Sequence, residues 1–328
     1  MTEGGAGRDA QPSASAGVSG SSGASGSPAN AAAGSGAGVA GASGSAAPAL
    51  VQPIERAGKY VFEFGDVLFE IDPMIGGRIV KCQLEGHNLL TGPEIDPLNY
   101  GATFWPSPQQ RWDWPPVPEL DNQPYTATLS NETVTLQSTV GQRAKVSVTK
   151  RFTPRPTESL LEVEYELMNR DTVPASWAPW EVTRVAARGL SFFPSGATTV
   201  TSQLPVVMMG DTTWYQHDPS KVGMGQKFSG DGKEGWLAHV AGDAILVKTF
   251  EDIAPAMQAP APEAEIALYA AAGYVELEPQ GRYTELMPNQ SVRWTVRWHV
   301  RKLQAGLTVS VGSQPLVDYA RSIAGTTR

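Results

Sequence analysis

Leu160-Leu161-Glu162-Val163-Glu164-Tyr165-Glu166-Leu167-Met168 alternates apolar and acidic residues from Leu161 to Leu167. In an extended chain Leu161, Val163, Tyr165 and Leu167 fall on one side and Glu162, Glu164 and Glu166 on the other. One face belongs to a core and the other meets water. The pattern continues in both directions. Tyr60–Phe64, Val67–Ile71, Thr133–Gln137 and Lys145–Lys150 are short runs rich in β-branched and aromatic residues, broken by Gly, Pro, Asn or Asp, and they read as strands. Trp236–Val240 and Ala244–Phe250, separated by Ala-Gly-Asp, read as a hairpin. Ala267–Ala271, Gly273–Glu278 and Ser291–Arg301 complete the series. In the last of these Val292, Trp294, Val296, Trp298 and Val300 alternate with polar residues. Only Pro315–Ile323 reads as helical.

Many strands without intervening helices exclude a doubly wound α/β fold and predict an all-β protein built as a large antiparallel sandwich. No Pro/Gly-rich linker divides Lys59–Arg301, which favours one barrel-like supersandwich over two small sandwiches in tandem. We find no internal repeat. Residues 1–50 are almost entirely Gly, Ser, Ala and other small or polar types. Such a segment cannot bury enough apolar surface to offset chain entropy, so it is expected to be a disordered spacer. The expected organisation is this spacer, then a single β-sandwich domain over 51–328 with a short C-terminal tail.

The 328-residue chain carries a net charge of −8 with its Lys and Arg scattered. No basic footprint for nucleic acid appears, and no apolar run is long enough to span a membrane. The spacer matches the segment that follows the lipidated cysteine of many bacterial lipoproteins. It predicts a lipid anchor on the precursor and a cell-envelope or extracellular location. A low-complexity tail on a cytoplasmic protein is the alternative. The one cysteine, Cys82, sits in a strand-like run and reads as a small buried hydrophobe. The four histidines show no metal-ligand spacing, so neither a metal nor a cofactor is expected. Asn131-Glu132-Thr133 and Asn289-Gln290-Ser291 match a glycosylation pattern and read as turns.

Three stretches carry a family resemblance. Asp72–Leu90, containing Gly76-Gly77-Arg78-Ile79 and Gly86-His87-Asn88-Leu89-Leu90, resembles the opening of galactose-mutarotase-like domains. Trp177-Ala178-Pro179-Trp180-Glu181-Val182-Thr183 resembles a central "APWE-[VI]-T" signature of bacterial members of that superfamily. Tyr274–Gln280, followed by Leu286-Met287-Pro288-Asn289-Gln290-Ser291, is similar to its terminal acidic strand and turn. Together they cover most of Lys59–Arg301. The resemblance implies a β-supersandwich of the galactose mutarotase type whose concave face binds sugars.

Aldose 1-epimerases pair a histidine with a C-terminal glutamate to move protons on and off the ring oxygen and the anomeric hydroxyl. The resemblance makes Glu278 the candidate base, with Glu276 on the same face of the strand; both could equally be solvated charges. The chain departs from the epimerase pattern at the central histidine, where Pro179, Trp180 and Glu181 stand instead. Glu181 could substitute as a catalytic acid if burial against Trp180 and Trp177 raised its pKa, or it could accept bonds from sugar hydroxyls. Phe104–Pro116, with Trp105, Trp112 and Trp114, is too broken by proline for a regular strand and reads as a loop, which the resemblance places over the mouth of the sheet. There Trp105 and Trp112 would meet sugar faces, and Arg111 would match a pocket arginine. Trp214–Asp218 and Lys227 read as a second polar and aromatic loop, in which His217 is the best-placed histidine. A carbohydrate-binding domain, capturing a sugar or another polar small molecule, is the preferred expectation; a carbohydrate-active enzyme using Glu278 is the other.

Overall fold

The structure is a computed structural model that describes residues 51–196, 201–222 and 225–325. The predicted spacer, 1–50, lies outside the described residues. From Val51 onward the chain forms two large antiparallel sheets with a core between them.

Leu160–Asn169 lies in the middle of a ten-stranded sheet, between Val146–Arg155 and Ser291–Lys302. Its register sets Leu161, Val163, Tyr165 and Leu167 opposite Trp298, Val296, Trp294 and Val292. The four strand residues are buried to 2% exposure or less. On the outward face Glu162 meets Arg155 and Arg297, each at 2.9 Å, while Glu164 and Glu166 meet Arg151 at 2.7 and 2.8 Å. Each such half-exposed cross-strand pair adds roughly 0.2–1 kcal/mol. The burial of the other face does most to fix the register, because a one-residue slip would turn every apolar side chain outward.

The second sheet has twelve strands. Lys59–Phe64, Val67–Asp72 and Arg78–Leu84 form a meander at one end. Ala102–Ser107, Ala175–Ala186, Tyr274–Pro279, Ile266–Ala270 and Gln226–Gly230 then follow side by side. Between the sheets Phe104 stacks on Tyr165 at 4.6 Å, and Phe69 meets Trp298 edge-on at 6.1 Å. Cys82 is fully buried, and burial raises its thiol pKa. The longer of two described α-helices, Gln314–Gly325, covers the outer face of the ten-stranded sheet. Leu316, Val317, Ala320 and Ile323 pack there over Phe192, Trp214, Trp236 and Val247 in a second apolar cluster.

Two stretches expected as loops are strands. Phe104-Trp105-Pro106-Ser107 belongs to Ala102–Ser107, Trp214-Tyr215-Gln216 to Thr212–Gln216, and Lys227, grouped with the second loop, to the strand Gln226–Gly230. Proline is tolerated in the first because Pro106 faces Pro179 across the ladder. The Pro179 carbonyl turns away to accept the Gly281 N–H at 2.8 Å, and the Pro106 carbonyl accepts Trp112 Nε1 at 2.6 Å. The pair is thus a non-hydrogen-bonded one, at which neither missing N–H removes a bond between these two strands. Asn131 and Asn289 sit in turns with φ of +50° and +65°.

Candidate functional site

Alternation sorts the twelve-stranded sheet into two faces. On Ala175–Ala186 the side chains of Glu181 and Thr183 point between the sheets, whereas Trp180, Val182 and Arg184 point outward. The neighbouring strands keep step. Arg184 is registered with Glu276, Glu276 with Tyr269, and Tyr269 with Lys227, so four strands present one continuous row on the outer face. Glu278 lies two residues beyond Glu276 on the same side.

Glu276, Tyr269 and Lys227 of this row floor a cleft of about 380 Å³, with Arg184 behind Glu276. Trp105, Trp114, Trp180, Tyr269 and Tyr274 supply aromatic walls, Asn99, Gln109 and Gln203 supply neutral polar groups, and Glu276, Glu278 and Lys227 supply charge. Trp105 meets Trp180 edge-on at 5.2 Å and Trp114 edge-on at 6.0 Å. Trp114 is 53% exposed at the rim. A second hollow, of about 310 Å³ near the helix, has one aromatic side chain, Phe250, in its lining. Size and convergent polar groups favour the first as a ligand site.

Glu278 is 1% exposed. Its Oε2 accepts bonds from Lys227 Nζ at 2.8 Å and Trp180 Nε1 at 3.1 Å, and its Oε1 has no hydrogen-bond partner among the described residues. Burial pushes the carboxyl pKa up to about 7 against the pull of the Lys227 ammonium, and the nearby Glu276 adds to the rise. Burial would lower Lys227, but Glu278, Glu263 and Glu276 outweigh it and its pKa is raised. The ammonium also lies 4.7 Å from the Trp180 ring centre. Glu276 is held by Arg184 Nε at 2.8 Å, and the Arg184 guanidinium sits 5.3 Å from the Trp105 ring centre. Behind Glu278, Gln280 Nε2 donates to Glu263 Oε2 at 3.0 Å, and Glu263 Oε1 accepts the Gln109 N–H at 3.2 Å.

Of the residues singled out in the sequence, Glu276, Glu278, Trp105, Trp180 and Lys227 converge on this cleft. The other four lie elsewhere. Glu181 is fully buried between the sheets, where it pairs with Lys248 and accepts bonds from the Tyr165 hydroxyl and from Trp298 Nε1 at 3.2 Å. Alternation explains this, since the neighbour of an outward Trp180 must point inward. Arg111 donates to the Ser176 carbonyl at 2.6 Å and stacks 4.5 Å from the Trp177 ring centre. Trp112 is buried beneath Trp105, with its N–H on Pro106. His217 is 4% exposed, with Nε2 against the Ala271 carbonyl at 2.9 Å and Nδ1 accepting the Arg188 N–H at 3.3 Å.

Arg184, Tyr269 and Tyr274 were not singled out, although a strand period of two had a signal for each. Arg184 is four residues beyond Trp180, and Tyr274 is two before Glu276. Asn99 and Gln203 lie in bends and Gln109 in a short 3-10 helix, where no strand periodicity marks them. Among the described residues no group of three or more His, Cys, Asp or Glu could hold a metal ion, and no helix is long and apolar enough to cross a membrane.

No family model matches the chain. No curated protein matches it in sequence either. Solved structures do match in fold. A galactose mutarotase-like protein from Lactobacillus casei ATCC 334 superposes with a TM-score of 0.55 at 10% identity, covering 74% of this chain and 100% of that one. Another, from Clostridium acetobutylicum, gives 0.52 at 10% identity over 77% of this chain and 99% of that one. A galactose mutarotase related enzyme from Lactobacillus acidophilus gives 0.52 at 8% identity over 75% and 98%. At such identity the likeness is one of architecture, and the chain has the galactose mutarotase-type fold.

Proposed function

We propose that the outer-face cleft binds carbohydrate, and that the chain is the sugar-capturing domain of a secreted or surface-anchored protein. The observation that carries this reading is the convergence on one cleft of five aromatic side chains, four of them on adjacent strands and Trp114 on the rim, with hydrogen-bonding charge pairs. Flat rings suit the C–H faces of a sugar, while fixed carboxylates, amides and an ammonium suit its hydroxyls. The names of the structural neighbours are consistent with sugar ligands, and the Gly/Ser/Ala spacer supports a tethered location.

A second reading rests on Glu278. A buried carboxyl titrating at about 7 can hold or release a proton at neutral pH, which proton transfer at an anomeric centre requires. Binding is placed first because none of His87, His217, His239 and His299 lines the cleft, leaving Glu278 without the histidine partner expected of an epimerase. Titration of a panel of mono- and oligosaccharides by calorimetry tests the first reading. Any ligand found is then followed for anomeric exchange by NMR. Turnover that Glu278→Gln abolishes would replace binding with catalysis.

A further inference from the structure

The Gly76-Gly77-Arg78-Ile79 motif lines no part of the cleft, yet it leads to it through Asp121. The Asp121 carboxylate, 5% exposed, accepts Trp105 Nε1 and Thr103 Oγ1, both at 2.8 Å, on Oδ1, and Arg78 Nη2 at 3.2 Å on Oδ2. Arg78, itself 2% exposed, is anchored by the carbonyls of Leu98 at 3.0 Å and Tyr100 at 3.2 Å. Gly76, at φ +71°, lies so close to Asp121 that a Cβ would stand 2.0 Å from its carbonyl oxygen. Lys150 holds this turn from beneath, donating to the Gly76 and Gly77 carbonyls at 2.7 and 3.2 Å. A chain of buried contacts therefore runs from Lys150 through the glycine turn and Arg78 to Asp121, and ends on the indole that stands edge-on to Trp180 and Trp114.

We propose that Asp121 is a positioning residue for the cleft: its buried carboxylate sets the orientation of Trp105, and through it the aromatic wall that meets the ligand. An indole presents its face to a ligand only when its two side-chain torsions are fixed, and a charged acceptor on its single N–H fixes both. Thr103, two residues away on the same strand face, shares that acceptor and locks the carboxylate in turn. The consequence for ligand binding rests on the carbohydrate reading; the orientation of Trp105 does not.

Two readouts separate these. In 1H–15N spectra the Trp105 indole N–H, assigned by its loss in Trp105→Phe, is expected to exchange with solvent at least about tenfold more slowly than that of the rim residue Trp114. Equal exchange in the wild-type protein overturns the proposal whether or not any sugar binds and whether or not a variant folds. The second readout is a double-mutant cycle with the best sugar ligand. Asp121→Ala is expected to weaken binding about fivefold in the wild-type background and less than about twofold in Trp105→Phe, where no N–H remains to be held. The loss of Tm persists in both backgrounds, because Arg78 and Thr103 lose their partner either way. A core variant of matched stability loss, Val163→Ala, should leave affinity unchanged. Equal affinity losses in the two backgrounds would make Asp121 a purely structural residue and refute the proposal. Absence of any sugar binding would defeat the carbohydrate reading and leave the indole exchange to decide the role of Asp121.

Discussion

Lys248→Met provides the sharpest test of the arrangement between the sheets. Lys248 and Glu181 form an ion pair in which both side chains are fully buried. The ammonium also donates to the Thr183 hydroxyl and lies 4.2 Å from the Trp298 ring centre. Removing the cation strands the carboxylate, which keeps only Tyr165 and Trp298 as donors. Breaking a buried pair from one side costs about 3–5 kcal/mol. An unfolding entropy of about 2.1 cal/mol/K per residue over a folded span of roughly 275 residues gives ~0.58 kcal/mol per degree, so Tm should fall by about 5–9 °C. Adding Glu181→Gln removes the stranded charge, and the double variant should recover at least half of that loss. Thermal melts followed by circular dichroism measure all four corners of the cycle. A loss below about 1 kcal/mol for Lys248→Met would refute the buried pair. A Glu181→Gln variant with unchanged Tm but no ligand binding would refute the placement of Glu181 behind the sheet.

Leu316→Ala removes a fully buried side chain from the cluster under the helix and should cost about 2–5 kcal/mol; urea denaturation checks this, and a neutral effect would mean the helix does not seal that face. Gly76 and Gly58 both have positive φ, but a Cβ at Gly58 meets nothing within 4 Å. Gly76→Ala should therefore exceed Gly58→Ala by a further ~1–3 kcal/mol from overpacking alone, read from the same denaturation curves. His239, bonded to Ser191 at 2.9 Å, is lowered to about 3 by burial and by the nearby His217. Below about pH 6.5 an unfolded chain takes up a proton that the native protein does not, so wild-type stability falls on acidification. His239→Asn lacks this group, so the wild type should lose stability relative to it as pH drops from about 6.5 towards 3. Glu265, raised to about 8 chiefly by burial, acts in the opposite direction. The native state keeps a proton that the unfolded chain releases near 4.5, so wild type should weaken relative to Glu265→Gln as pH rises from about 4.5 to 8. Parallel stability–pH curves for either pair would contradict these assignments.

The fold was legible wherever burial on one face imposed a strict period of two. Leu160–Met168 could be read to within a residue, because its four inward side chains are buried and its glutamates are not. Legibility failed where a local rule was overridden by the partner strand. Pro106 argues against a strand until Pro179 is found opposite it, and Trp214–Gln216 is polar enough to pass for a loop until the helix covers Trp214. At the cleft, the acidic strand and Trp180 were within reach of pattern reading, as Arg184 and Tyr274 would have been had the period been followed outward. Asp121 was not, since a carboxylate in a four-residue helix, Pro118–Asp121, carries no periodic signal and its role exists only through contacts distant in sequence. Glu181 shows the opposite error, an acid beside a tryptophan that turns its side chain the other way.

Sugar capture by the outer-face cleft is read from the calorimetric affinity of wild-type protein and Trp114→Ala for the glycans of the panel. Trp114 is half-exposed at the rim, so its removal should leave Tm almost unchanged. Wild type should bind at least one glycan saturably, with binding weakened about tenfold or more in Trp114→Ala, as expected for loss of an aromatic anchor. No saturable binding of any glycan, or equal affinity in the two proteins, would contradict it.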